Sequence, residues 1–471
     1  MSDKFYVTAA IPYVNGSPHL GHTLEFVITD VIQRWKKLEG EQVFCVSGSD
    51  ENGEKILEAA KKEKLEPQEL ADKNTLAFQK HALDLEVKFD VWRRATDKKL
   101  HWAGVVELWN RCVKNGDIYK KKYQGLYCVG CEQFYTKDEL VEGKCPEHNR
   151  EPEFLEEENY FFKLSKYQKQ LEELIEKDEL KVFPKIRKNE TLGFIKQGLQ
   201  DFSVSRPAAR LGNWGIPVPG DPTQMMYVWF DALTVYMTAV GWKYDLKLWK
   251  KWWPADVHVI GKGIFRFHTV YWPAMLLSAK LPLPKAVLVH GYITSDGQKM
   301  AKSLGNTIDP QLLIEKYGAD PLRYFLLKEI PTQADGDFTN ERFKEVFNAD
   351  LANGLGNVVS RVAKMSEKDG LNGIKEFEKK LNIKEPLERF EFNQAIIGLW
   401  EEIRALDLQI SKDEPWKLTD KERKELLIGY VKQLLAFNWQ LQIFLPETAI
   451  KIEKIFCGKK IAIKESLFPR L

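Results

Sequence analysis

The first fifty residues restrict the fold more than any other stretch, because they hold a short buried strand, a tight turn, an amphipathic helix and a second strand in that order. Phe5 to Ala10 is a strand-like run that passes into a Pro/Gly/Asn-rich turn, Ile11 to Pro18. Leu24, Val27, Ile28, Val31, Trp35 and Leu38 then recur at spacings of three and four until Gly40 stops the pattern. Gln42 to Gly48 is strand-like again and runs into Ser49-Asp50-Glu51-Asn52-Gly53. Such a unit predicts the α/β class, with a Rossmann-like doubly wound parallel sheet.

Between about 116 and 226 the alternation breaks down into a Cys/His segment, an acidic patch at Glu151 to Glu158 and a Gly/Pro-rich stretch, Pro207 to Pro222. It resumes with the strand Val257 to Gly261, a helix carrying Phe265 to Leu277 and the strand Ala286 to His290. The expected organisation is a first half of the α/β domain over 1–115, an insertion over 116–226 and a second half over 227–295. A loop-bearing region over 296–345 and an all-helical bundle over 346–471 complete it. In the bundle Leu351, Leu355, Val358 and Val362 form one stripe, and Asn393 to Ile410 and Lys421 to Phe444 read as long apolar-faced helices.

Composition narrows the class. With 471 residues, 44% hydrophobic and 29% charged, the chain can bury several cores and is not intrinsically disordered. Its 70 Lys+Arg against 68 Asp+Glu leave a formal charge of +2, so any basic footprint for a nucleic acid is local. No apolar run approaches the ~18 residues of a membrane-spanning helix, and no signal-peptide pattern opens the chain. Six cysteines do not make a disulfide scaffold in a chain of this length. A soluble cytoplasmic protein, in a reducing compartment and without a membrane partner, is expected.

Two motifs sit at the ends of the α/β domain. His19-Leu20-Gly21-His22 lies where the first strand hands over to the first helix, and a helix N-terminus offers free N–H groups and positive dipole to an anion. The same pair could serve as a cap or as half a metal site. Lys299-Met300-Ala301-Lys302-Ser303 follows the strand Ala286 to His290, flanked by Gly297 and Gly305. Two lysines on such a loop can close over a polyphosphate, although an isolated pair is more commonly a solvated basic loop. A third set, Cys128-x-x-Cys131 and Cys145-x-x-His148, has zinc-knuckle spacing. Four protein ligands leave no open position, so one structural zinc ion is expected; Cys45, Cys112 and Cys457 read as packed thiols.

Taken together, the histidine pair and the Lys-x-x-Lys-Ser loop resemble the two signature motifs of class I aminoacyl-tRNA synthetases. Ala301 stands where serine is common. The resemblance narrows to the methionyl-tRNA synthetases and covers nearly the whole chain. It is carried further by Ala10-Ile11-Pro12-Tyr13, by Tyr227 to Tyr236 (YVWFDALTVY), and by Phe267-His268 with Trp272-Pro273. The resemblance implies a methionine pocket of Ile11, Tyr13, Trp229, Ala232, Leu233, Tyr236, Phe267 and His268. Asp50 becomes the anchor for the substrate ammonium, with Arg206 beside it. A long, polarizable thioether suits an aromatic box of this kind.

By the same resemblance His19, Gly21, His22, Gly261, Gly263 and Lys302 bind ATP, and His19, His22, Lys299 and Lys302 act in catalysis. Gly263 stands where the family commonly has an acidic residue, so contacts there are expected from backbone. Region 296–345 is then a stem-contact region and 346–471 an anticodon-binding domain, with Asn357, Arg361 and Trp416 reading unstacked bases. The implied activity is ligation of L-methionine to methionine tRNA, tRNA(Met), through methionyl-adenylate, for translation including initiation. Mg2+ accompanies ATP, and a separate tRNA-binding subunit is a possible partner. Rival readings are another class I synthetase or a non-catalytic tRNA-binding paralogue. The valine, isoleucine and leucine enzymes carry a larger editing insertion, and a cysteine enzyme would hold zinc with an open position.

Overall fold

The computed structural model of the chain describes residues 3–130, 133–135, 137–146, 149–299 and 308–471, with backbone alone at 133 and 299. Two compact units result: residues 1–18, 40–80 and 88–289 form one, and residues 19–39, 81–87 and 290–471 the other.

The first unit is built on a six-stranded sheet. Its order is Val91–Arg94, Gln42–Ser49, Lys4–Ala9, Val257–Gly261, Ala286–His290 and Lys181–Phe183. Lys4–Ala9 pairs in parallel with both Gln42–Ser49 and Val257–Gly261, as expected of a doubly wound sheet. The chain starts in the middle, builds outward through Gln42–Ser49 and Val91–Arg94, and returns to the other side of Lys4–Ala9 with Val257–Gly261. The carboxyl ends of these two central strands are therefore the point where the winding reverses, the place where open α/β sheets bind ligands.

Two details differ from what periodicity predicts. Lys181–Phe183, inside the segment read as an insertion, pairs in parallel with Ala286–His290 and closes one edge of the main sheet. The helix expected over Phe265–Leu277 divides into a wide π turn, Phe267–Tyr271, and an α-helix, Trp272–Ser278. Pro273 accounts for the division. It has no N–H to donate and its ring crowds the carbonyl four residues back, so the turn before it opens. The rest of the insertion folds into a four-stranded sheet ordered Gln133–Tyr135, Ile118–Cys128, Glu153–Phe162, Phe202–Ser203, and a three-stranded sheet around Asp221–Met226. Its pairs are antiparallel.

The second unit is mainly helical. The helix Leu20–Leu38 belongs to it because of a buried tie: Arg323, fully buried in helix Ala319–Glu329, lies 2.7 Å from the Asp30 carboxylate. The same guanidinium donates to the carbonyls of Leu85 and Phe444. An arginine fork satisfied in this way would be costly to strand alone in the interior. Helices Asn357–Lys368, Phe392–Asp413, Asp420–Leu441 and Pro446–Phe456 bury Val358, Val362, Leu399, Ile403, Leu434 and Ile452 against one another. The expected stripe is therefore an interior face, with Leu351 and Leu355 in a π-helical stretch over Phe347–Gly356 and Val358 and Val362 in the α-helix after it. No described helix is long and apolar enough to cross a membrane.

Candidate active site

The turn after the first strand is held by backbone. Asp50 donates its N–H to the Pro12 carbonyl at 2.9 Å and accepts from Val14 N at 3.1 Å, so the loop after Lys4–Ala9 and the end of Gln42–Ser49 move as one piece. The Tyr13 hydroxyl donates to the Asn52 carbonyl at 2.5 Å. Asp50 is buried at this junction. On the other side of the switch point Gly261 ends its strand and leads into a single 3-10 turn, Lys262–Ile264, which includes Gly263.

Against these ends packs an aromatic cluster. Leu233, Tyr236 and Phe267 are buried in one hydrophobic core, and Ile11, Tyr13 and Trp229 lie partly buried against it. Trp229 stacks on Phe267 with ring centroids 4.0 Å apart and planes 8° from parallel. Ala232 is buried in the same short helix as Trp229, Val228–Ala232. His268 Nδ1 lies 3.0 Å from the Ile264 carbonyl, which can only accept, so Nδ1 carries the proton. Its Nε2 is then the acceptor for the Tyr236 hydroxyl at 2.8 Å. Burial lowers the His268 pKa to about 4, so this imidazole is neutral at physiological pH. The structure thus gathers the residues expected to line an amino-acid pocket into a neutral, largely apolar box.

Arg206 sits among different partners. It is buried, donates to Ser203 Oγ and the Ser205 carbonyl at 2.8 Å, and lies over the rings of Tyr127, Phe134 and Tyr227.

In the second unit His19 caps helix Leu20–Leu38. Its Nδ1 accepts from Gly21 N at 3.1 Å, and His22 Nδ1 accepts from the His19 N–H at 3.3 Å. The two rings stack with centroids 3.8 Å apart. Gly21 leaves room for this ring: a Cβ there would stand 2.9 Å from His19 Cε1, so the imidazole would have to shift. The His22 pKa is held well below the ordinary imidazole range, first by desolvation and then by His19, His81 and His290. A neutral imidazole pair on a positive helix end is an arrangement into which an anion fits.

Lys299 ends a hairpin, Ile293–Ser295 with Gln298–Lys299, whose turn uses positive φ at Asp296 and Gly297. Asp337 Oδ1 accepts from Thr294 Oγ1 and Gly297 N and pins the turn. The rest of the expected loop, Lys302 included, lies outside the described residues.

Cys131 and His148 also lie outside them. Cys128 and Cys145 are buried together in a small cluster with Tyr135, whose hydroxyl is 3.6 Å from Cys145 Sγ. Two thiols brought together from the two halves of the motif fit a zinc donor set. Among the described residues no group of three metal-ligating side chains gathers. In the bundle Asn357 is exposed, Arg361 pairs with Asp407 at 2.5 Å, and Trp416 is 55% exposed.

Sequence motifs miss one set of groups, the buried Asn52, His101, Asp231 and Thr238, which are hydrogen-bonded in series. Only the scarcity of histidine, eight in the chain, could have drawn attention to His101.

The family model described as "tRNA synthetases class I (M)" matches residues 5–151 and 147–363. A methionine--tRNA ligase of Synechocystis sp. is 41% identical over 95% of this chain and 88% of that protein. One from Nostoc sp. is 43% identical over 89% and 83%. The structure of Mycobacterium tuberculosis methionyl-tRNA synthetase in complex with methionyl-adenylate superposes with a TM-score of 0.93. It is 34% identical and the match covers 99% of this chain and 100% of that one. The apo form of the same protein gives a TM-score of 0.85.

Proposed function

We propose a division of labour among the residues of a chain that belongs to the methionine–tRNA ligases, a family of class I tRNA synthetases. The enzyme activates methionine with ATP and charges tRNA with it. In the first step a carboxylate oxygen of methionine attacks the α-phosphorus of ATP. The bond to the bridging oxygen breaks, and pyrophosphate leaves with its electron pair. A ribose hydroxyl at the 3′ end of methionine tRNA then takes the methionyl group and releases AMP. The substrate supplies the nucleophile in each step, so the protein contributes position and charge.

Ile11, Tyr13, Trp229, Ala232, Leu233, Tyr236, Phe267 and His268 receive the methionine side chain. Neutral His268 fixes the Tyr236 hydroxyl, so the box presents polarizable rings and no net charge to a thioether. Asp50 takes the ammonium, with Arg206 nearby in role. His19, Gly21 and His22 meet phosphate at the helix end, and Gly261 and Gly263 offer backbone to the nucleotide. Lys299 and Lys302 close over the β- and γ-phosphates, and magnesium accompanies ATP. The observation that carries this reading is the aromatic box packed against the sheet's switch point.

Cys128, Cys131, Cys145 and His148 would hold one zinc ion, which ties the knuckle together and takes no part in the reaction. Elemental analysis should find one zinc per chain, and Cys128→Ser should remove it. Asn357, Arg361 and Trp416 read the anticodon. The protein works in the cytoplasm, alone or with a separate tRNA-binding subunit. The roles are tested by Lys302→Ala in ATP–pyrophosphate exchange. Its rate should fall about 10²-fold or more with methionine KM within about twofold. Unchanged exchange contradicts the assignment.

A further inference from the structure

Behind the aromatic box runs a series of buried polar groups that the assignments above leave unused. Asn52, Asp231, His101 and Thr238 are 3%, 1%, 0% and 0% exposed. Asn52 Nδ2 donates to Asp231 Oδ2 at 2.6 Å, and Asp231 Oδ1 lies 3.0 Å from His101 Nε2. His101 Nδ1 is 2.8 Å from Thr238 Oγ1. The backbone N–H of His101 is itself held by the Asp97 carbonyl, just before helix Trp102–Lys114.

The placement of these groups matters more than their number. Asp231 lies between Trp229 and Ala232 in helix Val228–Ala232, and Thr238 closes helix Val235–Thr238, which carries Tyr236. Asn52 belongs to the turn that holds Asp50, and its carbonyl accepts the Tyr13 hydroxyl. One histidine therefore ties two pocket helices together, and Asp231 ties both to the turn opposite. Helices of four and five residues have no stability of their own. Apolar packing against them is non-directional and does not set their distance from Asp50. Directional bonds between satisfied, buried groups do.

We infer that His101 and Asp231 are positioning residues that set methionine affinity by holding Trp229, Ala232, Leu233 and Tyr236 at a fixed distance from Tyr13 and Asp50. They act through those side chains and touch no substrate. The inference rests on the pocket assignment made above. In Asp231→Asn one face of the side chain becomes a donor, so either Asn52 Nδ2 or His101 Nε2 loses its acceptor without a change in volume. His101→Gln keeps a donor toward Asp231 and gives up the link to Thr238.

The test is ATP–pyrophosphate exchange with the full chain, reading KM for methionine and for ATP separately alongside the thermal midpoint. Asp231→Asn should raise methionine KM about tenfold, and His101→Gln about threefold, with ATP KM within about twofold in both. Methionine KM unchanged in either folded variant, or methionine and ATP KM rising together, overturns the positioning role. Should Asp231→Asn fail to fold, His101→Gln decides. Trp229→Ala run in parallel separates the two claims. If it raises methionine KM and the positioning variants do not, only this inference fails. If it leaves methionine KM unchanged, the pocket assignment fails and takes the inference with it.

Discussion

Two pairs of histidines occupy opposite kinds of environment. His19 is exposed and His22 half-buried, stacked on the open end of a helix, with His81 and His290 adding positive potential. His258 and His268 are 0% and 1% exposed, and each is bonded inward, His258 Nδ1 to Thr8 Oγ1 at 2.7 Å and His268 to Tyr236 and Ile264. Burial lowers the pKa of His22, His258 and His268 alike. On the proposed roles, a polyanion arriving at the helix end would offset the desolvation and the imidazole repulsion together. His258 and His268 are shut off from solvent, and burial keeps both rings neutral. The first pair is built to respond to charge, the second to keep a shape. On the roles proposed above, that difference would separate rate from recognition.

The largest effect that could break this comparison is at the helix end. His22→Ala should lower the rate of adenylate formation by about 10²- to 10³-fold while methionine KM stays within about twofold. A change confined to methionine KM would put His22 on the wrong side of the division.

Acid titration sharpens the contrast. The folded-state pKa of His268, about 4, lies below its ordinary value of 6.5, so the unfolded chain takes up the proton first. Stability present above pH 6.5 is therefore lost as pH falls toward 4, by up to ~3 kcal/mol from this residue. His22 and His258 shift in the same direction. Denaturant midpoints measured across that window should show the slope, and His268→Gln should flatten it. A slope unaltered by the substitution would mean that His268 is not buried neutral.

Trp229→Ala removes half of a stacked pair and should raise methionine KM roughly 30-fold, with ATP KM unchanged in pyrophosphate exchange. A smaller effect than these is expected in the helical bundle. Trp416→Ala should lower kcat/KM for methionine tRNA about tenfold through loss of base stacking, and leave pyrophosphate exchange unaltered. Loss of exchange in that variant would show that Trp416 acts on the fold rather than on the RNA.

What could be read in the sequence was what local patterns encode. Leu24 to Leu38 keeps one apolar face through a single helix, so spacing alone revealed it, and the strands on either side were bounded by Gly and Pro. The members of the aromatic cluster were legible through resemblance, because the motif around Trp229 and Tyr236 is contiguous in the chain. Long-range pairings were not legible. Lys181–Phe183 is three residues long and finds its partner strand about a hundred residues away, where no periodicity points. Asp30 and Arg323 carry no sign of each other, yet their contact ties the first helix to the second unit. Asn52, His101 and Asp231 are spread over 180 residues, and each alone reads as an ordinary polar residue. Gly21 also has a packing reason that no sequence pattern shows, since a Cβ there would stand 2.9 Å from His19 Cε1.

The separation of rate from recognition is tested most directly by single-turnover formation of methionyl-adenylate at varied methionine, with His22→Ala and Trp229→Ala measured side by side. His22→Ala should reach a plateau rate far below the unaltered enzyme at the same half-saturating methionine concentration. Trp229→Ala should approach the normal plateau, but only at much higher methionine. If both substitutions depress the same parameter, the helix end and the aromatic box are one site with one role, and the account is wrong.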